Sequence, residues 1–158
     1  SYGGPSDGTG DGSIILEVQV NTTAKTATKV WSYKANPGVQ VDILGDVQRL
    51  PNGNTLISAG GAVTEFDKAN KIAWRMDADW LPDLQFGILA GLQRLPNGNT
   101  IVCNWNTRDT EDRVGAHVFE VTPDKRIVWE VRGQHIGQVA QCQILTPDFR
   151  LREEKVLR

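Results

Sequence analysis

The sequence predicts an all-β protein assembled from four-stranded antiparallel units, and three observations carry that expectation. The hairpin "VQRLPNGNTLISAG", Val47 to Gly60, is spelled again as "LQRLPNGNTIVCNW", Leu92 to Trp105, 45 residues later. A second matched pair follows: "VTEFDKANKIAWRMDA" (Val63 to Ala78) answers "VFEVTPDKRIVWEVRG" (Val118 to Gly133), with Glu65 facing Glu120 and Trp74 facing Trp129. Sixteen Gly, seven Pro and five Trp among 158 residues mark a turn-rich chain, and no long heptad pattern competes with the strand reading.

In chain order, residues 1–12 read as a flexible Gly-rich segment, standing where a loop between a second and a third strand would stand. "SIILEVQV" (Ser13 to Val20) and "ATKVWSYKA" (Ala27 to Ala35) read as two strands that place Trp31 at the position of Trp74 and Trp129. In the hairpin from Val47, Pro51 presets φ, Asn52 follows, and Gly53 supplies the positive φ that a three-residue loop requires; Pro96, Asn97 and Gly98 repeat the device. The turns "DKANK" and "TPDKR" close the next hairpin in each copy between alternating apolar residues. "VAQCQILTP" (Val139 to Pro147) aligns with the first strand, bringing Gln143 into line with Gln48 and Gln93, and "FRLREEKVLR" then reads as a second.

Four strands in about 45 to 55 residues is the period of a β-propeller blade, because a lone four-stranded sheet cannot bury both faces and must stack on copies of itself. With strands lettered A to D, the chain counts out as C–D, A–D, A–D and A–B: a half-blade over 13–35, blades over 42–78 and 87–133, and a half-blade over 138–158. About three blades close a ring poorly. The expectation is a partial propeller completed by another protein chain, by a second copy, or by further residues of a longer protein. Trp31, Trp74 and Trp129 are expected between blades, where both the ring area and the indole N–H find use. Gln48, Gln93 and Gln143 are expected to hydrogen-bond one blade to the next.

A net charge of −2 and a pI near 5.7 leave no basic footprint for nucleic acid. No apolar run approaches the roughly 18 residues of a membrane span. Cys103 and Cys142 lie in no C-x-x-C pattern, and with two histidines a zinc site has no support; the two thiols either pair across neighbouring blades or stay as small buried hydrophobes. Asp7 and Asp11 in "SDGTGDGS" offer carboxylates to Ca²⁺ without the ligand spacing of a known loop, so no metal site is assigned. "NTT" at Asn21 is an N-glycosylation acceptor in a eukaryotic secretory route.

Function belongs where the copies differ. The "PNGN" turns make a uniform back, and the B–C loops and D-to-A connections make a variable front. Asp42, Asp46, Gly91, Gln138, Gln141 and His135 stand on those connections. The second blade carries a ten-residue insertion between B and C, and with it Asn104, Trp105, Arg108, Arg113 and His117 join the same face.

Asp67, Lys71 and Trp74 resemble the tryptophan-docking repeats of quinoprotein-like (PQQ-like) propellers. "GDVQRLPNGNTLIS", with "ILEVQVNTTAKTATKVWSYKA", looks more like bacterial arylsulfotransferase-type propellers. The resemblance runs from Ser13 onward. It implies sulfuryl transfer from an aryl sulfate to a phenol through a histidine intermediate. His117 or His135 would be the nucleophile, and Arg108 or Arg113 would stabilise the sulfuryl oxygens. The His-rich motifs of such enzymes are absent from this sequence, and a PQQ cofactor has only the repeat shape behind it, so no cofactor is expected. The leading expectation is a non-catalytic propeller module, periplasmic or extracellular, that engages a protein or carbohydrate through its front loops or open blade edges. The alternative is part of an arylsulfotransferase-like enzyme.

Overall fold

A computed structural model describes residues 14–34, 45–59, 61–81, 84, 86–105, 115–133 and 136–145. The expected strand in "FRLREEKVLR", the Gly-rich opening and most of the ten-residue insertion lie outside the described residues. The chain divides into two units, residues 1–42 and 43–158. The protein is all-β and antiparallel, with one short 3₁₀ turn among the described residues.

The first unit holds a hairpin, β1 (Ile14–Asn21) and β2 (Thr26–Lys34). The Asn21 side chain accepts from the Thr23 and Ala24 amides, and Lys25 takes the left-handed place in the turn. The period of two places Ile14, Leu16, Val18 and Val20 along one side of β1, whose register with β2 shifts between Glu17 and Val18. All four are 49 to 62% exposed within this unit. On β2, Trp31 and Tyr33 stack with centroids 6.5 Å apart.

The second unit contains two four-stranded meanders, β3 (Asp46–Arg49), β4 (Thr55–Ala59), β5 (Ala62–Phe66) and β6 (Ile72–Met76), then β7 (Leu89–Arg94), β8 (Thr100–Asn104), β9 (Val118–Val121) and β10 (Ile127–Val131). Their first turns match bond for bond. Gly53 and Gly98 sit at φ +84° and +87°, and their amides donate to the Leu50 and Leu95 carbonyls at 2.9 Å. Arg49 and Arg94 each donate to the carbonyl of the turn glycine. The second turns differ in chemistry but not in role: Asp67 Oδ1 accepts from Ala69 and Lys71 amides, whereas Thr122 Oγ1 accepts from that of Arg126.

Two cores cover the two faces of the β7–β10 sheet. Leu56, Val63 and Met76 of the first sheet meet Leu92, Val102, Phe119 and Val121 of the second. Ala90, Ile101, Cys103 and Val118 point the other way, against Val139, Cys142 and Ile144. This explains why β8, "TIVCN", is buried at every position where a sheet wet on one face would alternate. Residues 136–144 carry no regular strand, and Leu145 forms an isolated bridge.

Side chains stitch each A-position strand to the next at one register. Gln48 Oε1 accepts from the Arg94 amide at 2.7 Å, and Gln93 Oε1 accepts from the Ile144 amide, one copy further on, at 3.0 Å. Gln143 is exposed.

The strand-D tryptophans are all partly buried, and the two in this unit find different partners. Glu65 takes Asn54 Nδ2 at 2.7 Å on one oxygen and Arg94 Nη2 at 2.9 Å on the other, so Trp74 Nε1 reaches across to the Pro123 carbonyl at 2.8 Å. At the matching place after Gln93 the next segment offers Ile144, which has no charge to give; Glu120 takes Asn99 Nδ2 and the Trp129 indole N–H instead.

Candidate functional site

The three residues nearest the inner strands, Asp46, Gly91 and Gln141, come together. Asp46 Oδ2 accepts from the Leu92 amide at 3.0 Å and lies 3.5 Å from Gln141 Nε2, and the Gly91 amide donates to the Ala140 carbonyl at 2.8 Å. A Cβ on Gly91 would stand 2.8 Å from that carbonyl oxygen and 3.0 Å from the Gln141 Cα, so the close approach of the backbones requires glycine here. Gln138 is exposed close by in sequence.

Asn104 is buried: its Oδ1 accepts from the Gly87 amide at 2.8 Å and its Nδ2 donates to the Ala116 carbonyl at 3.1 Å. The Trp105 amide donates to the Ile88 carbonyl. His117 is 2% exposed, with Nε2 3.2 Å from the Gly133 carbonyl and its own amide on the Val131 carbonyl. These groups hold the ends of the connections together, and the enclosed imidazole is bonded to backbone. Asp42, Arg108, Arg113 and His135 lie outside the described residues, as do Asp7 and Asp11. Among the described residues, no three His, Cys, Asp or Glu side chains are grouped to hold a metal ion. No helix among them is long and apolar enough to cross a membrane.

Cys103 and Cys142 are free thiols packed in one apolar cluster. Burial pushes the Cys103 thiol up to about 12, with Cys142 and Asp46 nearby adding to the effect. The folded protein therefore holds a proton that the unfolded chain releases near the ordinary thiol value, about 8.5. Cys103 contributes its full share of stability below that pH and loses it as pH rises toward about 12. We expect the urea midpoint to fall over this alkaline window and to fall less in Cys103→Ala. An equal fall in both proteins would show that Cys103 does not govern the effect.

One feature of the surface has no counterpart in the repeated motifs. The 3₁₀ turn Ala78–Trp80 follows β6, and Trp80 is 56% exposed. With Leu81 and Leu84 it forms one wall of a groove of about 570 Å³ whose other wall is β10 and the turn before it. Lys125 Nζ stands 3.2 Å from the Trp80 ring centroid, a cation on the negative face of the indole. Arg126 pairs with Asp124 at 2.6 Å, and Arg132 with Glu130 through two nitrogens at 2.6 and 2.9 Å. The signal available in the sequence was Trp80 itself, a tryptophan outside the repeat register in "DADWLPD". The groove is open, aromatic and charged.

Fold and surface together define a protein of stacked antiparallel sheets with an open groove. No family model matches the chain, and no curated protein matches it. In fold it is similar to a solved structure, a protein of unknown function from Bacteroides caccae, with a TM-score of 0.60 and 20% identity. That likeness covers 80% of this chain and 45% of the other, so the chain spans less than half the length of the protein it matches.

Proposed function

We propose that the protein is a binding or assembly module of β-propeller type, with the half-blade and blades of the sequence reading, whose open sheet edges are covered by another chain or by a second copy. The observation that carries this reading is the row Ile14, Leu16, Val18 and Val20, 49 to 62% exposed on a two-stranded hairpin. A two-stranded hairpin is marginal alone in water, and an apolar row of this kind gains stability when another strand or sheet covers it. The Gln48 and Gln93 bonds at one register support stacking of like units. The bonded, enclosed His117 favours binding over sulfuryl transfer.

Light scattering on the 158-residue chain is expected to give at least twice the 17.4 kDa of one chain. Leu16→Glu with Val18→Glu should return it to a monomer that keeps its β-sheet circular dichroism. A wild-type monomer would exclude a second copy as the cover. Turnover of a chromogenic aryl sulfate with a phenol acceptor, lost in His117→Ala or His135→Ala, would replace it with the enzymatic one.

A further inference from the structure

We propose that the groove beside β10 binds an extended acidic peptide, which adds to the sheet as a strand. This rests on reading the chain as a binding module, but it concerns a different edge from the β1 face.

β10 is the outermost strand of its sheet, so alternate backbone N–H and C=O groups point away from β9. The groove follows that edge. Successive side chains of a strand leave on opposite faces, so a cavity lying on one face is lined by every second residue. This one is lined by the turn residues Lys125 and Arg126, then by Ile127 to Glu130 of β10, where the bulge interrupts the alternation, and by Arg132. Its volume falls within the roughly 300–1,000 Å³ of small binding sites. Trp80 and Leu84 face β10 from the opposite wall, which encloses an added strand on its second side.

The side chains set the character of the occupant. Lys125, Arg126 and Arg132 line the groove against a single lining carboxylate, Glu130, with Asp124 beside it. This is a local cationic excess on a chain whose net charge is −2. The Arg126–Asp124 pair is exposed, and exposed pairs are worth little, so Arg126 can turn its guanidinium toward an incoming carboxylate, with Lys125 and Arg132 adding positive charge along the same groove. Trp80 and Val128, both more than half exposed, offer apolar contact to alternate side chains of the same peptide. The bulge between Ile127 and Trp129 twists the edge against indiscriminate pairing, leaving charge and the Trp80 wall to select the partner. A sugar stacked on Trp80 is disfavoured, because Lys125 Nζ already occupies a ring face.

The test is titration of the ¹⁵N-labelled 158-residue chain with a short capped peptide of alternating glutamate and valine. The expected result is shifts in the amides of 127–131 and in the Trp80 indole N–H, with affinity reduced about tenfold or more by Trp80→Ala, by Lys125→Glu and by raised salt. The same peptide N-methylated at alternate residues, or carrying lysine for glutamate, should fail to bind. Equal binding of either control, shifts confined to β1, unaltered affinity in both variants, or binding of a β-linked glucose oligosaccharide in place of the peptide would overturn the proposal. None of these outcomes changes the mass measured by light scattering, so this inference and the assembly reading fail separately.

Discussion

Phe119→Ala is expected to cost about 4 kcal/mol, the largest effect of any single substitution considered, within the range for truncating a buried phenylalanine. Phe119 is fully buried on β9, between the first sheet's Leu56, Val63 and Met76 and its own sheet's Leu92 and Val102, and it stacks on Phe86 at 5.9 Å. Backbone hydrogen bonds fix both sheets, so they cannot close over the space left behind, and the cavity adds to the lost transfer energy. At about 2–4 °C per kcal/mol for a chain of this size, the melting temperature should drop by about 8–16 °C. Phe119→Leu keeps most of the volume and should cost less than about 1.5 kcal/mol. Urea denaturation of the two variants decides the matter. A cost below about 1 kcal/mol for the alanine variant would mean that Phe119 does not join the two sheets.

Arg94→Ala should cost about 3 kcal/mol, through charge rather than volume. The Arg94 and Glu65 side chains are each 12% exposed and 2.9 Å apart; Arg94 also donates to the Gly98 carbonyl and stands 5.0 Å from the Trp74 ring centroid. Burial pulls the guanidinium pKa down and Glu65 opposes that pull, so the pair depends on both members. Removing Arg94 leaves the Glu65 carboxylate enclosed with its asparagine donors alone. Arg94→Ala with Glu65→Leu should therefore cost well under the sum of the single changes, with a coupling of about 1–3 kcal/mol. Additivity within about 0.5 kcal/mol would place the pair among surface ion pairs of no consequence.

Local chemistry alone determined much of this protein. Proline, asparagine and glycine in "PNGN" dictate the turn through fixed φ, a side-chain acceptor and a positive φ, so both copies fold alike wherever they stand. The alternation of β1 and the paired apolar runs of β3 to β10 likewise mark antiparallel strands. The matched positions Asp46, Gly91 and Gln141 could be aligned on paper for the same reason, and they meet in space.

Other features depend on what lies across a gap that no local pattern records. Trp74 and Trp129 occupy one sequence position, yet the first bonds to a carbonyl of the neighbouring sheet and the second to its own sheet's glutamate, because Arg94 faces one copy and Ile144 the other. Asn104 and His117, readable as surface ligands from their polarity, are instead buried and bonded to backbone, since loop ends that leave the sheet must satisfy their amides and carbonyls. The groove at Trp80 was invisible for a related reason. Its walls are a segment between sheets and the edge strand of the next sheet with the turn before it, 41 residues or more apart, and only their packing brings Trp80 to Lys125.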